Sequence, residues 1–354
     1  MSRFFSKKFS SLTAYTPGEQ PKDQKYIKLN TNESPFPPPP SVICAVTEEA
    51  GRLQLYSDPE CTPLVAKCAD YFGVKPTQVL MTNGSDEILN FAFMAFCDAD
   101  NPVVFPDISY GFYSVFAELN AIPYEKIPLR RDFSIDPDDY VGIGKNIVIA
   151  NPNAPTGLAL TIDDIERIVA GNPDNVVVID EAYVDFGAES AVRLVEKYDN
   201  LLVTQTFSKS RSLAGGRLGF GIASESLIRD MNTIKYSTNP YNVNRMTMIA
   251  GYQALAEDEY YKNCIEKIKQ NREYTKNELK KLGFNVLDSK TNFLFAESDL
   301  ISGEELYLAL KAQGILVRHF GGDRISNFNR ITIGTREQME IFTLTVAKIL
   351  RGAE

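Results

Sequence analysis

A chain of 354 residues in which 44% are hydrophobic exceeds what one ordinary core holds and fits about two domains. Its formal net charge of -9, with no basic block, excludes a nucleic-acid footprint. An anionic substrate therefore has to be met by a few local arginines rather than by a positive field.

The scattered cysteines (Cys44, Cys61, Cys68, Cys97, Cys264) lack metal-type spacing and read as reduced thiols of a cytoplasmic protein. His319 is the only histidine, which leaves no histidine-rich metal site and no serine–histidine–acid triad. Along the chain, Met1 to Ser11 are basic and acid-poor without an apolar stretch behind them, and no run approaches the ~18 apolar residues of a membrane span. They read as the start of an N-terminal arm, not as a targeting signal. Lys28 to Ser34 then leads into Pro35-Phe36-Pro37-Pro38-Pro39-Pro40, a stiff extended connector.

Short apolar runs follow at Val79–Thr82, Pro102–Phe105, Ile147–Ala150, Val176–Ile179, Leu201–Thr204 and Leu218–Ile222. Helical patterns such as Asp86 to Cys97 and Ile162 to Ala170 lie between most of them. Continuous apolar strands alternating with helices predict an α/β fold with a largely parallel sheet covered on both faces. Past about residue 240 the texture changes to one long helix, Ala254 to Leu282, and to strands at Phe293–Ala296, Ile315–Val317 and Ile331–Ile333, a second and smaller α+β domain.

In such a sheet, ligands sit beyond the carboxyl ends of the strands. After Val79–Thr82 comes Asn83-Gly84-Ser85-Asp86-Glu87, a glycine turn opening a helix; it could cradle a phosphate, and it is also an ordinary N-cap. After Ile147–Ala150 comes the rigid loop Asn151-Pro152-Asn153-Ala154-Pro155-Thr156-Gly157. After Val176–Ile179 comes Asp180-Glu181-Ala182-Tyr183, where an aspartate closing an apolar strand either meets a cation or caps a helix. Next come Thr206-Phe207-Ser208-Lys209 and Leu213 to Gly219, which set one lysine among hydroxyls, a glycine pair and a fixed cation, Arg217. A lysine that forms a Schiff base to a phosphorylated cofactor needs those neighbours.

These motifs stand in the order seen in fold-type I pyridoxal-phosphate aminotransferases. From Leu12-Thr13-Ala14-Tyr15 to Arg330-Ile331-Thr332-Ile333-Gly334-Thr335 the whole chain resembles the histidinol-phosphate aminotransferase family. The resemblance implies pyridoxal 5'-phosphate as cofactor, with Lys209 as its covalent anchor and proton shuttle. Asp180 would pair with the pyridine nitrogen, Tyr183 would bond the ring hydroxyl and Tyr110 would stack on the ring. Gly84, Ser85, Asp86, Thr206, Ser208 and Arg217 would surround the phosphate, and Tyr56 would reach the phosphate of a partner subunit, which implies a homodimer. For substrate it assigns Arg330 to an α-carboxylate and Arg318 to the phosphate of histidinol phosphate, with Tyr15 and Asn32 lining the pocket.

Two departures stand out. The family more often has Asn where this chain has Ala154, so either Asn153 stands near the ring hydroxyl or Tyr183 bonds it alone. The usual aromatic–glycine pair after the lysine is replaced by Ser210-Arg211-Ser212, a cation near the phosphate turn. The expected activity is transfer of the amino group of L-histidinol phosphate to 2-oxoglutarate, in histidine biosynthesis. An aromatic amino acid aminotransferase and a phosphothreonine decarboxylase are the alternatives; an effector-sensing regulator is not expected, since such proteins normally carry an appended DNA-binding helical domain and the enzyme-like motifs of this chain begin within its first few dozen residues. The expected division is an arm (1–35), a large cofactor-binding domain (36–245) and a small domain (246–354); no metal, nucleic acid or membrane partner is expected.

Overall fold

The computed structural model describes residues 2–10 and 12–352, so Met1, Ser11, Ala353 and Glu354, at the margins of the expected arm and small domain, lie outside the described residues. After a single 3-10 turn at Lys7–Phe9 come a short strand, β1 (Ile27–Lys28), the proline-rich connector, and helices α1 (Pro40–Ala50) and α2 (Thr62–Phe72). Strands and helices then alternate through β2 (Val79–Thr82), α3 (Ser85–Phe96), β3 (Val103–Pro106), α4 (Phe112–Asn120), β4 (Tyr124–Ile127) and β5 (Asn146–Ala150). They continue with α5 (Ile162–Ala170), β6 (Val177–Asp180), β7 (Leu201–Thr206), β8 (Gly219–Ala223) and α6 (Glu225–Thr238).

These strands form one seven-stranded sheet in the order β2-β8-β7-β6-β5-β3-β4. It is parallel except for β8, which runs antiparallel to both neighbours. Strand side chains alternate between faces. Accordingly Ile147, Ile149, Val177, Ile179, Leu201 and Val203 join a core with α2, α5 and α7 (Arg245–Ala256), whereas Val148, Ala150, Val178 and Leu202 join one with α3, α4 and α6. Burial on both faces is why these strands read as continuous apolar runs. The edge strand β4 was invisible in the sequence because Tyr124, Glu125 and Lys126 lie exposed.

The rest comprises α8 (Asp258–Lys281), β9 (Phe284–Val286), β10 (Phe293–Ser298), α9 (Gly303–Ala312), β11 (Ile315–Leu316), β12 (Arg318–His319), β13 (Asn329–Thr332) and α10 (Arg336–Leu350). Strands β12-β13-β10-β9 make an antiparallel sheet, and β1 pairs in parallel with β11, which ties the arm to this part of the chain. Helices α9 and α10 open with reciprocal caps, Ser302 with Glu305 and Thr335 with Gln338, which satisfy N–H groups that the first turn leaves free.

The single helix expected from Ala254 to Leu282 is instead two, α7 and α8, divided at Glu257. No Gly or Pro marks the break. A new helix start gains from Asp258 and Glu259 in its first turn, and Asp258 is also paired with Arg211, a contact from far along the chain. Among the described residues no helix is long and apolar enough to cross a membrane.

Candidate active site

The carboxyl ends of β5, β6 and β7 open onto a cavity of about 400 Å³ lined by Ala150, Asp180 and Thr206 at the strand ends, with Ser85, Asp86, Tyr110, Tyr183, Ser208, Lys209 and Arg217 around them. A second cavity of about 330 Å³, lined by Tyr15, Asn32, Arg318 and Arg330, shares Tyr110, Tyr183 and Lys209 with it. Lys209 Nζ therefore stands at the junction, 3.4 Å from the Thr31 carbonyl and 5.7 Å from the Tyr183 ring centroid.

One end of the first cavity is built for an anion. Helix α3 starts at Ser85, so its first N–H groups are free and its dipole is positive there. Gly84, with φ of +86°, is a glycine for two reasons: L side chains avoid that backbone, and a Cβ would stand 2.7 Å from Arg217 Nη2. A Cβ on Gly219 would lie 2.3 Å from the Ser85 nitrogen, so β8 can pass this turn only without a side chain. Arg217 itself holds a left-handed φ of +51°, a conformation that costs a non-glycine residue on the order of 1 kcal/mol. Its Nη2 lies 3.2 Å from Asp86 Oδ2, while Asp86 Oδ1 accepts from the Tyr110 hydroxyl at 2.8 Å. Thr206 Oγ1 accepts from the Ser208 N–H at 3.1 Å and donates to Ser208 Oγ at 2.9 Å.

The opposite wall carries a buried acid. Asp180 is 5% exposed and forms no ion pair among the described residues. Burial pushes its pKa up to about 6, against hydrogen bonds from the Tyr113 hydroxyl (2.8 Å) and the Ala182 N–H (3.2 Å). The neighbouring Glu181, raised to about 7 by burial, is consumed structurally by Ser190, the Ala191 N–H and Gln205. Tyr183 accepts from Asn32 Nδ2 at 2.9 Å, and Asn32 is bonded in turn to Thr332 through its own N–H (3.0 Å) and its Oδ1 (2.9 Å).

The second cavity is cationic. Arg318 and Arg330 are direct cross-strand neighbours on β12 and β13, and among the described residues neither has an acidic partner. Like charges placed opposite each other oppose folding unless an anion joins them. Arg330 lies 5.3 Å and 5.6 Å from the Phe293 and Phe320 ring centroids, gives Nη2 to the Asn30 carbonyl (3.2 Å) and leaves its buried Nε unpartnered. Arg318 donates to the Thr16 and Pro17 carbonyls at 3.2 Å each, strapping the arm across the cavity. Tyr15 of that arm stacks on Phe112, with ring centroids 4.2 Å apart.

Three expected cofactor residues line neither cavity: Gly84, which shapes the turn before Ser85, Asn153 and Tyr56. Asn153 is turned into its own loop, because its Oδ1 accepts from Ser109 (2.8 Å) and its Nδ2 donates to the Ile108 carbonyl (3.0 Å) and Thr156 (3.1 Å); Ala154 lines the cavity in its place. Tyr56 is 81% exposed and stacks on Tyr241 at 4.8 Å. Arg211, read as a cation near the phosphate turn, is buried against Tyr71 and Asp258 and lines neither cavity. Tyr113 was missed: it lies in the first turn of α4, and nothing in the nearby sequence marks it as the partner of Asp180, which folding brings from 67 residues along the chain.

The chain belongs to the aminotransferase class I and II family, which it matches over residues 24–344. Within that class it is similar to the histidinol-phosphate aminotransferase of Brachyspira hyodysenteriae (strain ATCC 49526 / WA1), 52% identical over 99% of this chain and 100% of the relative. It is also similar to that of Clostridium acetobutylicum, 47% identical over 97% of both chains. In fold it matches the histidinol-phosphate aminotransferase of Sinorhizobium meliloti in complex with pyridoxal-5'-phosphate (TM-score 0.90, 23% identity, 99% of both chains). Its fold is also similar to that of the L-threonine-O-3-phosphate decarboxylase of Porphyromonas gingivalis (TM-score 0.82, 20% identity, 92% of this chain and 99% of that one).

Proposed function

We propose that this chain transfers the amino group of L-histidinol phosphate to 2-oxoglutarate, giving imidazole acetol phosphate and L-glutamate, with pyridoxal 5'-phosphate as cofactor. The observation that carries the substrate reading is the facing pair Arg318 and Arg330, unpaired with acid among the described residues and opening onto Lys209. Full-length relatives bearing that name support it.

The first cavity fits the cofactor. A buried carboxylate without a cation suits a pyridinium N–H, and a helix start with Arg217 suits a phosphate. Asp180 would hold the ring nitrogen, Tyr110 the ring face, and Ser85, Thr206, Ser208 and Arg217, with the Gly84 turn and Asp86 behind them, the phosphate. Tyr183, oriented by Asn32, would bond the ring hydroxyl without help from position 154. When bound, pyridoxal 5'-phosphate supplies the electron sink that loosens a C–H bond beside the amine and stores the amino group between half-reactions.

Lys209 Nζ would take the proton from the substrate's amine-bearing carbon and, as its conjugate acid, deliver it to C4′ of the cofactor; with 2-oxoglutarate it would move the proton in the opposite sense. Arg330 presents a fork to the α-carboxylate of glutamate or 2-oxoglutarate. Arg318 keeps N–H groups beyond those given to the arm, and these meet the substrate phosphate, while Tyr15 and Asn32 close the pocket around the rest of the molecule. In this reading residues 36–245 carry the cofactor, and residues 1–35 with 246–354 close over the substrate. The exposed Tyr56, with Leu53 and Leu55 beside it, would complete the phosphate site of a second copy in a cytoplasmic homodimer.

The test is a panel of amino donors (L-histidinol phosphate, phenylalanine, tyrosine, O-phosphothreonine) with 2-oxoglutarate, following glutamate and carbon dioxide together. Glutamate formed chiefly from histidinol phosphate supports the reading; release of carbon dioxide or a preference for aromatic donors overturns the substrate.

A further inference from the structure

Two residues after Lys209 stands a buried cation, Arg211, that this mechanism does not use. Arg211 is 7% exposed and points away from the cavity into a slot between α2 and the α7–α8 junction. Its Nη2 is 2.8 Å from the Tyr71 hydroxyl and 2.8 Å from Asp258 Oδ1, and the Tyr71 hydroxyl donates to that same Oδ1 at 2.9 Å. The three groups close a triangle, with Nη1 3.4 Å from the Ala254 carbonyl and the Tyr71 and Tyr261 rings 5.1 Å and 5.4 Å from the guanidinium carbon.

The residues on either side are tethered as well. Ser210 Oγ donates to Asp185, on the segment that bears Tyr183. Ser212, at a left-handed φ of +55°, donates to Ser34 Oγ at 3.0 Å. A serine in that conformation persists only where its surroundings hold it. A buried ion pair contributes little net stability compared with an apolar pair of the same volume, but its geometry is specific. The triangle is thus a poor device for stability and a good one for direction.

We infer that Arg211 is a positioning residue for Lys209: its triangle with Tyr71 and Asp258 fixes the turn 208–213 so that the lysine Nζ faces the junction of the two cavities. The inference rests on the role proposed for Lys209. A guanidinium anchored on one side of a tight turn leaves the neighbouring side chain little freedom to swing, which is what a base acting at one carbon requires. Displacing a reacting group by about 1 Å can cost on the order of a hundredfold in rate.

The experiment compares wild type with Arg211→Met/Asp258→Asn, which removes both charges together and leaves no lone buried one, and with the milder Tyr71→Phe and Arg211→Lys. In the double variant kcat should fall roughly ten- to a hundredfold while KM for both substrates stays within about twofold. Without any substrate, the same variant should release pyridoxal 5'-phosphate at least about tenfold faster on dilution, because attachment needs the lysine in place. Tyr71→Phe and Arg211→Lys should show the same split to a smaller degree, and they cover the case in which the double variant does not fold. Wild-type kcat and release rate in the folded variants would overturn the inference while leaving the functional reading standing. A wild type that transaminates none of the donors would overturn that reading, and this inference with it.

Discussion

The Tyr113 hydroxyl donates to Asp180 Oδ2 at 2.8 Å, so a helix from one face of the sheet holds the carboxylate at the end of β6. Tyr113 is fully buried, and water cannot take its place. The bond favours the ionised acid and opposes the burial that raises its pKa to about 6.

Tyr113→Phe should therefore raise the Asp180 pKa further. A hydrogen bond to a charged group contributes about 1.5–3 kcal/mol, so the pH at which cofactor affinity falls away on acidification should rise by about one unit or more. Fluorescence titration of pyridoxal 5'-phosphate into the cofactor-free protein between pH 5 and 8 measures this. An unmoved limb would mean that the tyrosine only packs.

Asp180→Asn should still take up cofactor through Lys209, but with the weakened affinity that wild type shows below the Asp180 pKa, and should lose turnover on the order of 10²–10³-fold, the scale expected when one preorganised charge is removed from a water-excluded site. It should also stabilise the cofactor-free protein. The folded pKa of about 6 lies above the ordinary 3.8, so the acid's contribution to stability is whole below pH 3.8 and is lost as pH rises through 6. Asparagine mimics the protonated form. Its advantage over wild type should widen by about 1 kcal/mol between pH 5 and 7, read from denaturant unfolding.

Lys209→Ala should abolish transamination while leaving the circular dichroism unchanged, since the amine is lost and no sheet contact is. In wild type loaded with pyridoxal 5'-phosphate, borohydride should fix the cofactor to the peptide containing Lys209. Fixation at any other lysine contradicts the assignment.

Ala154→Asn places an amide where Asn153 supplies none. Ala154 lines both cavities, and the Asn153 amide is occupied within its loop. If the ring hydroxyl has only Tyr183, the added donor should lower the pH at which the bound cofactor's visible band titrates, because it favours the deprotonated oxygen. An identical titration would show that the hydroxyl is already satisfied.

Arg318→Ala should raise KM for L-histidinol phosphate about ten- to a hundredfold, the equivalent of one charge-assisted contact of about 1.5–3 kcal/mol. Non-phosphorylated aromatic donors should be nearly unaffected. Arg330→Ala, by contrast, should weaken 2-oxoglutarate whatever the donor. Equal losses for every substrate in Arg318→Ala would assign that arginine to holding the arm.

What the sequence determined by itself is what short range encodes. A glycine turn before Ser85, an acid ending an apolar strand at Asp180 and a lysine between hydroxyls each declare themselves within a few residues, and the doubly buried strands fix the sheet class, whereas Arg318 and Arg330 are assigned only through the family resemblance. Tertiary structure decided which partners those groups meet. Asn32 reaches Thr332 across the arm, Arg318 comes to face Arg330, and the hydroxyl beneath Asp180 arrives from another layer. It also turned Asn153 inward and Arg211 away from the phosphate turn, and it broke the expected helix at Glu257. The physical reason is that a polar side chain has a limited number of hydrogen bonds to give, and the nearest buried acceptor takes them. Which acceptor is nearest depends on elements packed from hundreds of residues away.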